Sequence, residues 1–290
     1  MASNTSHSLL CGSAILIIWG SQNNLSISEE RELNDWWTNE HIPERLAIPG
    51  FHRTRRYYYS SEAADSEDAS SLSKTKSASQ SQRISHYLVL YEVASLGTLT
   101  SQPYMAALNN PTPGTKKYLP FLASMNRSAC RVLLSVSRPE FSTCQRGGVG
   151  GTFARVDLFA PASASQREEL ISWLRHDGWE MLIRFFKSSI LAIHLLEHDD
   201  EASKSGSSTK SYTGLDVPAS KSQPAAGSGG EEVENERKWM LLVEFTDAFD
   251  APYASYKERC LELATGLTER GVDLKRLKEE IYGLVVVMEE

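Results

Sequence analysis

Two apolar segments, HYLVLYEV at 86–93 and KWMLLVEF at 238–245, align with each other without a gap. Both have an aromatic residue at the second place and a glutamate at the seventh, Glu92 and Glu244, and a Pro-Tyr pair follows each of them. Short apolar runs rich in β-branched and aromatic residues are typical of strands. A chain that carries the same strand in each half is expected to fold as two copies of one unit.

The segments around these two strands occur in the same order in both halves. The first half reads, in order, AILIIW (strand), SEERELNDWWTNEHI (helix), FHRTRRYYY and HYLVLYEV (strands), TSQPYMAALNN (short helix) and CRVLLSV (strand). The second half reads FARVDLFA (strand), SQREELISWLRHDGWEMLIRFF (helix), SILAIHLLEH and KWMLLVEF (strands), YASYKERCLELATGLTERG (helix) and YGLVVVME (strand). The order β-α-β-β-α-β is the ferredoxin-like arrangement.

The sequence therefore predicts an α+β fold of two ferredoxin-like repeats, at 1–145 and 146–290. Each four-stranded sheet has an apolar face that helices leave bare, and such a face must be covered. We expect the two sheets to cover each other, sheet against sheet, as an intramolecular pseudo-dimeric α+β barrel. Segments rich in Ser, Ala and charge, at about 60–84 and about 200–236, interrupt equivalent hairpins and are predicted to be disordered.

Charge and cysteine content exclude several classes of protein. The net charge of −7 provides no basic field for nucleic acid, and the third strands lack the signature of RNA-recognition domains. The four cysteines, Cys11, Cys130, Cys144 and Cys260, form no C-x-x-C pair, which favours reduced thiols in a cytoplasmic protein. The apolar run at 9–19 is too short to span a membrane and lacks a basic leader, so no membrane association is expected.

The first helix carries the candidate chemistry. Ser26 and Glu29 form a predicted capping box at its start, and Pro43 is expected at its end. Five residues share one face of this helix: Leu33, Trp36, Trp37, Glu40 and His41. A histidine has an ordinary pKa near 6.5 and suits proton transfer. The E-H-x-P turn could equally serve to cap the helix and fix the chain, and both interpretations stay open.

The stretch WWTNEHIPERLAIPGFHRTRRY, at 36–57, resembles the W-Y-x-x-E-H-x-P…P-G-F/W-x-x-x-R-R-Y pattern of EthD-like proteins in the dimeric α+β barrel superfamily. The resemblance covers residues 14 to about 137. It implies a pocket between helices and sheet, with His41 as general acid or base. Aligning Trp37 with Trp173 places Asp177 where His41 stands, so the second half lacks the motif.

The predicted site combines this histidine with aromatic and basic neighbours. His41 and Tyr91 are the predicted catalytic residues. Six residues are predicted to bind the substrate: Trp19, Trp36, Trp37, Glu40, Arg55 and Tyr57. The indoles would form an apolar wall, arginine can clamp a carboxylate or phenolate, and tyrosine offers a hydroxyl donor. Which face of each strand lines the pocket is left open.

Neither a metal nor a cofactor is expected. His194 and His198 share a strand face, but no third ligand accompanies them. The resemblance covers cofactor-free cyclases, dehydratases and decarboxylases of aromatic polyketides, quinone-forming monooxygenases and haem-degrading enzymes. The function predicted first is a cofactor-independent lyase, cyclase or isomerase acting on an aromatic or polyketide-like substrate in secondary metabolism. A cofactor-free monooxygenase, a non-catalytic small-molecule-binding or scaffold protein, and further homodimerisation remain open.

Overall fold

The computed structural model describes residues 9–23, 25–62, 83–123, 125–141, 151–206, 237–246, 262–276 and 278–289. Eight strands lie in these ranges: β1 Ala14–Asn23, β2 Phe51–Glu62, β3 Arg83–Val93, β4 Asn126–Ser137, β5 Thr152–Phe159, β6 Ile190–His198, β7 Lys238–Phe245 and β8 Lys278–Glu289. They form a closed barrel in the order β1-β3-β2-β8-β5-β7-β6-β4. Every neighbouring pair is antiparallel.

Helices cover the outside of this barrel. They are α1 Ile27–Trp36, a π-helical turn Trp37–His41, α2 Ile42–Leu46, α3 Gln102–Asn109, α4 Pro113–Ala123, α5 Ala164–Arg175, α6 Asp177–Phe186, α7 Asp200–Lys204 and α8 at 262–269. The chain is thus a mixed α and β protein built on an eight-stranded antiparallel barrel, in agreement with the predicted class.

The two halves of the chain meet at their sheet edges. The first half contributes the adjacent strands β4-β1-β3-β2, and the second half contributes β8-β5-β7-β6. The halves join where β2 pairs with β8 and where β4 pairs with β6. We expected the sheets to cover each other face against face. Edge pairing instead closes one ring, and the inner faces of both sheets line its interior.

Alternation along the strands separates an inner from an outer apolar layer. On β1, Ile15 and Ile17 belong to the inner cluster, whereas Leu16 and Ile18 pack with the first-half helices. Strand β3 alternates as the sequence predicted. Strand β2 does not alternate throughout, because a bulge after Phe51 shifts its register. The phenyl ring of Phe51 therefore belongs to the outer cluster.

Three sequence-based boundaries need correction. The capping box of Ser26 and Glu29 is present, but the helix continues past Pro43 to Leu46. Strands β2 and β3 extend to Glu62 and from Arg83, and α7 occupies part of the segment predicted to be disordered from about 200. Most of both low-complexity segments, at 63–82 and 207–236, lies outside the described residues.

Cysteines and apolar helices give two further observations. Cys11 and Cys130 are free thiols, while Cys144 and Cys260 lie outside the described residues. None of the helices in the described ranges combines the length and apolarity that crossing a membrane would take.

Candidate active site

A wide helical turn places the E-H-x-P motif against the sheet. The backbone N–H of Ile42 donates to the carbonyl of Trp37, five residues back, which defines the π turn. Pro43 follows immediately; it has no N–H, and its ring clashes with the carbonyl four residues earlier in an α-helix. The wide turn relieves this conflict, and His41 and Arg45 remain buried on the side that carries Trp36 and Trp37.

A small cavity lies between this helix, α3, α4 and the outer face of the first-half sheet. Its volume is about 30 Å³, enough for roughly one water molecule. It is lined by Leu16, Ile18, His41, Arg45, Tyr91, Tyr104, Leu108, Thr115, Leu119, Leu122, Met125 and Arg127. Polar groups of several kinds therefore converge on an otherwise apolar space, which is the usual composition of a ligand site.

His41 is the titratable centre of this cavity. Its Nδ1 lies 3.4 Å from the Thr115 hydroxyl and 3.8 Å from Glu44 Oε2. The Thr115 hydroxyl in turn donates to Glu44 Oε2 at 3.4 Å. Burial, with a further contribution from the positive charge of Arg45, holds the pKa of His41 well below 6.5, so the imidazole is neutral at neutral pH. The ring packs on Trp36, with 4.8 Å between centroids.

Two arginines bring positive charge to the cavity wall. Arg45 Nη2 lies 3.0 Å from Glu44 Oε1. Arg127 donates through Nη1 to the carbonyl of Ser203 in α7 and through Nη2 to the Tyr104 hydroxyl at 3.4 Å. A segment from the second half of the chain thus holds one wall of a first-half cavity.

Five of the predicted site residues lie on this outer face. His41 and Tyr91 both line the cavity. Trp36 forms the wall behind His41, whereas Trp37 lies farther off, against Tyr87 at 5.8 Å between centroids.

Glu40 is the fifth of these outer-face residues, and it serves the start of α4. Its Oε1 accepts a hydrogen bond from the Thr112 hydroxyl at 2.5 Å. A Cβ on Gly114 would come within 2.4 Å of the same carboxylate oxygen, which shows how closely the two segments approach. The glutamate therefore fixes the first turn of α4 rather than lining the cavity.

The other three predicted binding residues, Trp19, Arg55 and Tyr57, lie on the opposite side of the sheet, inside the barrel. Trp19 stacks under the guanidinium of Arg155, 4.4 Å from its ring centroid, and Tyr57 packs on Phe153 at 4.9 Å. The prediction that they share a pocket with His41 is wrong. Strand periodicity assigned residues to two faces but could not say which face was the inner one.

The barrel interior holds a network of buried charges. Arg53 donates to both oxygens of Glu92, at 3.0 and 2.9 Å, and Arg55 bridges Glu92 and Glu244 at 2.8 Å each. His194 Nε2 lies 3.2 Å from the second oxygen of Glu244. All five residues are fully buried. The two recurrent glutamates of the third strands therefore neutralise buried arginines.

The two histidines of β6 contact polar side chains of neighbouring segments. His194 contacts Glu244, and its Nδ1 lies 2.8 Å from the Ser135 hydroxyl. His198 contacts Ser128 at 2.5 Å and Asp200 at 3.2 Å. Within the described ranges, no group of three or more His, Cys, Asp or Glu residues is placed to bind a metal ion.

Arg45, Thr115 and Arg127 line the cavity but were not among the predicted site residues. Arg45 follows His41 by four residues and could have been assigned to the same helix face. Thr115 belongs to the Thr-Pro segment after α3, a part of the motif region with no obvious chemistry. Arg127 reaches the cavity from β4, and only the folded arrangement of strands brings it there.

A second cavity lies on the same outer face, closer to the start of α1. Its volume is about 180 Å³, and Glu30, Asn34, Arg56 and Tyr87 are among its lining residues. Glu30 accepts hydrogen bonds from Ser85 at 2.8 Å and from the Tyr87 hydroxyl at 3.1 Å. This larger cavity has no histidine among its described lining residues, so the smaller one is better equipped for proton transfer near neutral pH.

The equivalent face of the second half is apolar. Trp179, Leu182 and Phe186 of α6 are buried there against β5, β6 and β7. Asp177, which the alignment placed at the position of His41, is exposed at the start of α6. Among the described residues, a cavity lined by a buried histidine on the outer face is therefore a feature of the first half.

These observations define a class: a mixed α and β barrel protein with one buried, neutral histidine in an outer cavity. No protein-family profile and no curated protein sequence matches the chain. It is similar to the crystal structure of an anthrone oxidase-like protein, with a TM-score of 0.46, 10% identity and coverage of 97% of this chain and 95% of that one. A monooxygenase-like protein from Listeria innocua gives a TM-score of 0.34 and 8% identity, with 96% of each chain covered.

Proposed function

We propose that this chain is a cofactor-independent small-molecule enzyme, a lyase, cyclase or isomerase in which His41 accepts a proton from an aromatic or polyketide-like substrate. One observation carries the proposal. The Nδ1 atom of His41 faces Thr115 and Glu44, so Nε2 is the ring nitrogen for which the described residues supply no partner. A neutral imidazole with a free nitrogen in a cavity wall is equipped to act as a base.

The Glu44 carboxylate and the Thr115 hydroxyl favour one tautomer of His41. Nδ1–H donates to the threonine oxygen, and the threonine hydroxyl donates to the carboxylate. Nε2 then carries the lone pair and takes the proton, and Glu44 stabilises the imidazolium that forms. The same nitrogen returns the proton to another substrate atom in an isomerisation, or to a departing hydroxyl in a dehydration. Tyr91 is the candidate donor to the oxyanion that develops meanwhile.

Substrate entry requires the cavity to widen. A space of about 30 Å³ is far below the roughly 300 Å³ of a small ligand site. Leu119 and Leu122 of α4 form its outer wall and are only half-buried. We therefore expect binding to move these side chains, or α4 itself, away from β1.

The matching strand orders of the two halves support two ferredoxin-like repeats, at 1–145 and 146–290. This arrangement, together with the motif at 36–57, is what the resemblance to EthD-like proteins implies. The apolar outer face of the second half favours one active site in each chain. The small cavity favours a second candidate function, a non-catalytic binding or scaffold protein, in which His41 only orders the helix.

The test is turnover of a panel of phenolic and polyketide-like compounds, followed by mass spectrometry and an oxygen electrode. Wild type is compared with His41→Ala, His41→Gln and a matched control, His52→Ala, on β2 away from the cavity. We expect both His41 variants to lose about 10²- to 10⁴-fold in rate, and the control to retain it. Unchanged turnover in His41→Ala would contradict the proposal. Oxygen uptake linked to product would identify the monooxygenase alternative.

A further inference from the structure

Arg45 is a buried cation in the wall of the His41 cavity whose hydrogen-bond donors are unused. Its side chain is almost fully buried, with 4% of the residue exposed. None of its three guanidinium nitrogens makes a hydrogen bond. Glu44 approaches to 3.0 Å but outside the direction of an N–H bond, so this contact is an ion pair without a hydrogen bond.

Such a guanidinium is unusual, because buried polar groups are nearly always hydrogen-bonded. A desolvated donor without an acceptor destabilises the fold, and more so when it is charged. Arg53, which is also buried, donates two hydrogen bonds to Glu92. Arg53 inside the barrel is therefore hydrogen-bonded to its carboxylate, whereas Arg45 beside the cavity has an ion pair and no hydrogen bond.

Cations outnumber carboxylates among the described residues that line the cavity, and Glu44 forms an ion pair with Arg45 from outside this lining. Arg45 and Arg127 both line the cavity, and none of its described lining residues is Asp or Glu. The remaining wall is apolar, with Leu16, Leu108 and Met125 available to an uncharged ring. A planar carboxylate matches the donor fork of a guanidinium, which can bind it through two parallel hydrogen bonds.

We propose that the cavity binds an aromatic carboxylic acid, with the carboxylate on Arg45 and the ring against Leu16, Leu108 and Met125. This inference rests on the proposed function in one respect, that the reaction takes place at His41. A bound carboxylate has a consequence for the base. It offsets the positive charge of Arg45, which contributes to the low pKa of His41, so the substrate itself makes His41 a stronger base.

Binding can be measured without turnover, through the tryptophan fluorescence of the protein, to which Trp36 beside His41 contributes. The probes are aromatic acids of one to three rings, such as salicylate and 1-hydroxy-2-naphthoate, each paired with its uncharged amide. We expect wild type to bind at least one acid more tightly than its amide, by about tenfold or more. Arg45→Leu should lose this preference, and Arg45→Lys should keep part of it. Arg131→Leu, at an exposed arginine of β4, is the matched control and should behave as wild type.

The inference is overturned if no acid of the panel binds wild type more tightly than its amide, or if Arg45→Leu keeps the preference. Arg45→Gln, which retains polarity at the site, provides the same test should the leucine variant not fold. The two proposals separate in His41→Ala, which is expected to retain the preference for acids while it loses turnover. If His41→Ala turns over a substrate normally and Arg45→Leu loses the preference, only the proposed function is wrong.

Discussion

The barrel interior and the His41 cavity both bury arginine, tyrosine and histidine, yet they treat charge in opposite ways. Inside the barrel, Arg55 lies between two carboxylates, and Glu244 is shared with His194. In the outer cavity, Arg45 has an ion pair on one side and no hydrogen bond. A guanidinium that is paired with carboxylates on two sides serves the fold, whereas one that is paired on a single side beside a cavity is available to a ligand.

The largest expected effect follows from opening the closed network. Arg55→Leu leaves Glu92 and Glu244 buried without the cation that they share. We expect the free energy of unfolding to fall by about 3–5 kcal/mol, as measured by urea denaturation. Arg131→Leu, at an exposed arginine, serves as control and should change it by less than about 1 kcal/mol. A loss from Arg55→Leu no larger than that of the control would mean that the interior charges contribute little to stability.

Lowering the pH should reduce the free energy of unfolding through both buried histidines, but to different extents. Burial lowers the pKa of both, but the hydrogen bond to Glu244 partly restores that of His194. Above about pH 6.5 the two histidines are neutral in the folded and in the unfolded protein. Below this pH they bind protons in the unfolded chain, whereas burial keeps them neutral in the folded chain. The free energy of unfolding should therefore fall as the pH drops below 6.5, by up to about 1.4 kcal/mol per pH unit for each histidine.

Urea denaturation at several pH values between about 7.5 and 5.5 checks this slope. His41→Gln should flatten it more than His194→Gln does, because the pKa of His41 is lowered further. Equal slopes in the two variants would show that folding opposes the protonation of His41 and of His194 to the same extent.

A smaller effect is expected where the π turn at Trp37–His41 contacts the start of α4. Thr112 accepts a hydrogen bond from the backbone of Thr115 at 3.1 Å and donates one to Glu40. Thr112→Ala removes both and should lower the free energy of unfolding by about 1 kcal/mol, whereas Thr112→Ser retains them. Thermal melting of the two variants provides the measurement, and an equal loss in both would assign the effect to the lost methyl group.

The smallest effect on stability is expected from Arg45→Leu. Its guanidinium makes no hydrogen bond and has a single ion pair, with the partly exposed Glu44, so leucine removes a buried charge that is only weakly compensated. The free energy of unfolding should stay within about 1 kcal/mol of wild type, or rise. Urea denaturation beside Arg55→Leu gives a direct comparison of the two sites. A loss as large as that of Arg55→Leu would mean that Arg45 is structural.

Local patterns predicted the elements better than they predicted their assembly. The capping box of Ser26 and the two faces of β3 follow from helical and strand periodicity, which depend only on neighbours in sequence. The bulge after Phe51 inserts one residue into that period, and nothing in the residue types indicates it. The pairing of β2 with β8 depends on contacts between halves, which a local pattern does not contain.

The same distinction between local pattern and assembly explains which residues of the candidate site were predicted in the right place. His41 and Tyr91 were predicted as pocket residues, and both line the outer cavity, although the sequence left open which strand face that would be. Arg55 and Tyr57 were misplaced because an arginine on a strand was taken for a surface or pocket group, whereas the closed ring buries it with two carboxylates. Arg127 reaches the cavity through strand order alone, which made it unpredictable.

The π turn before Pro43 also sets which residues of the helix face the sheet on either side of it. A residue inserted into an ordinary helix rotates everything beyond it by about 100°, which would carry an apolar face off its sheet. A turn five residues wide instead absorbs the extra residue where it stands. The π turn at Trp37–His41 therefore accommodates one more residue while Trp36 before it and Arg45 after it both stay buried.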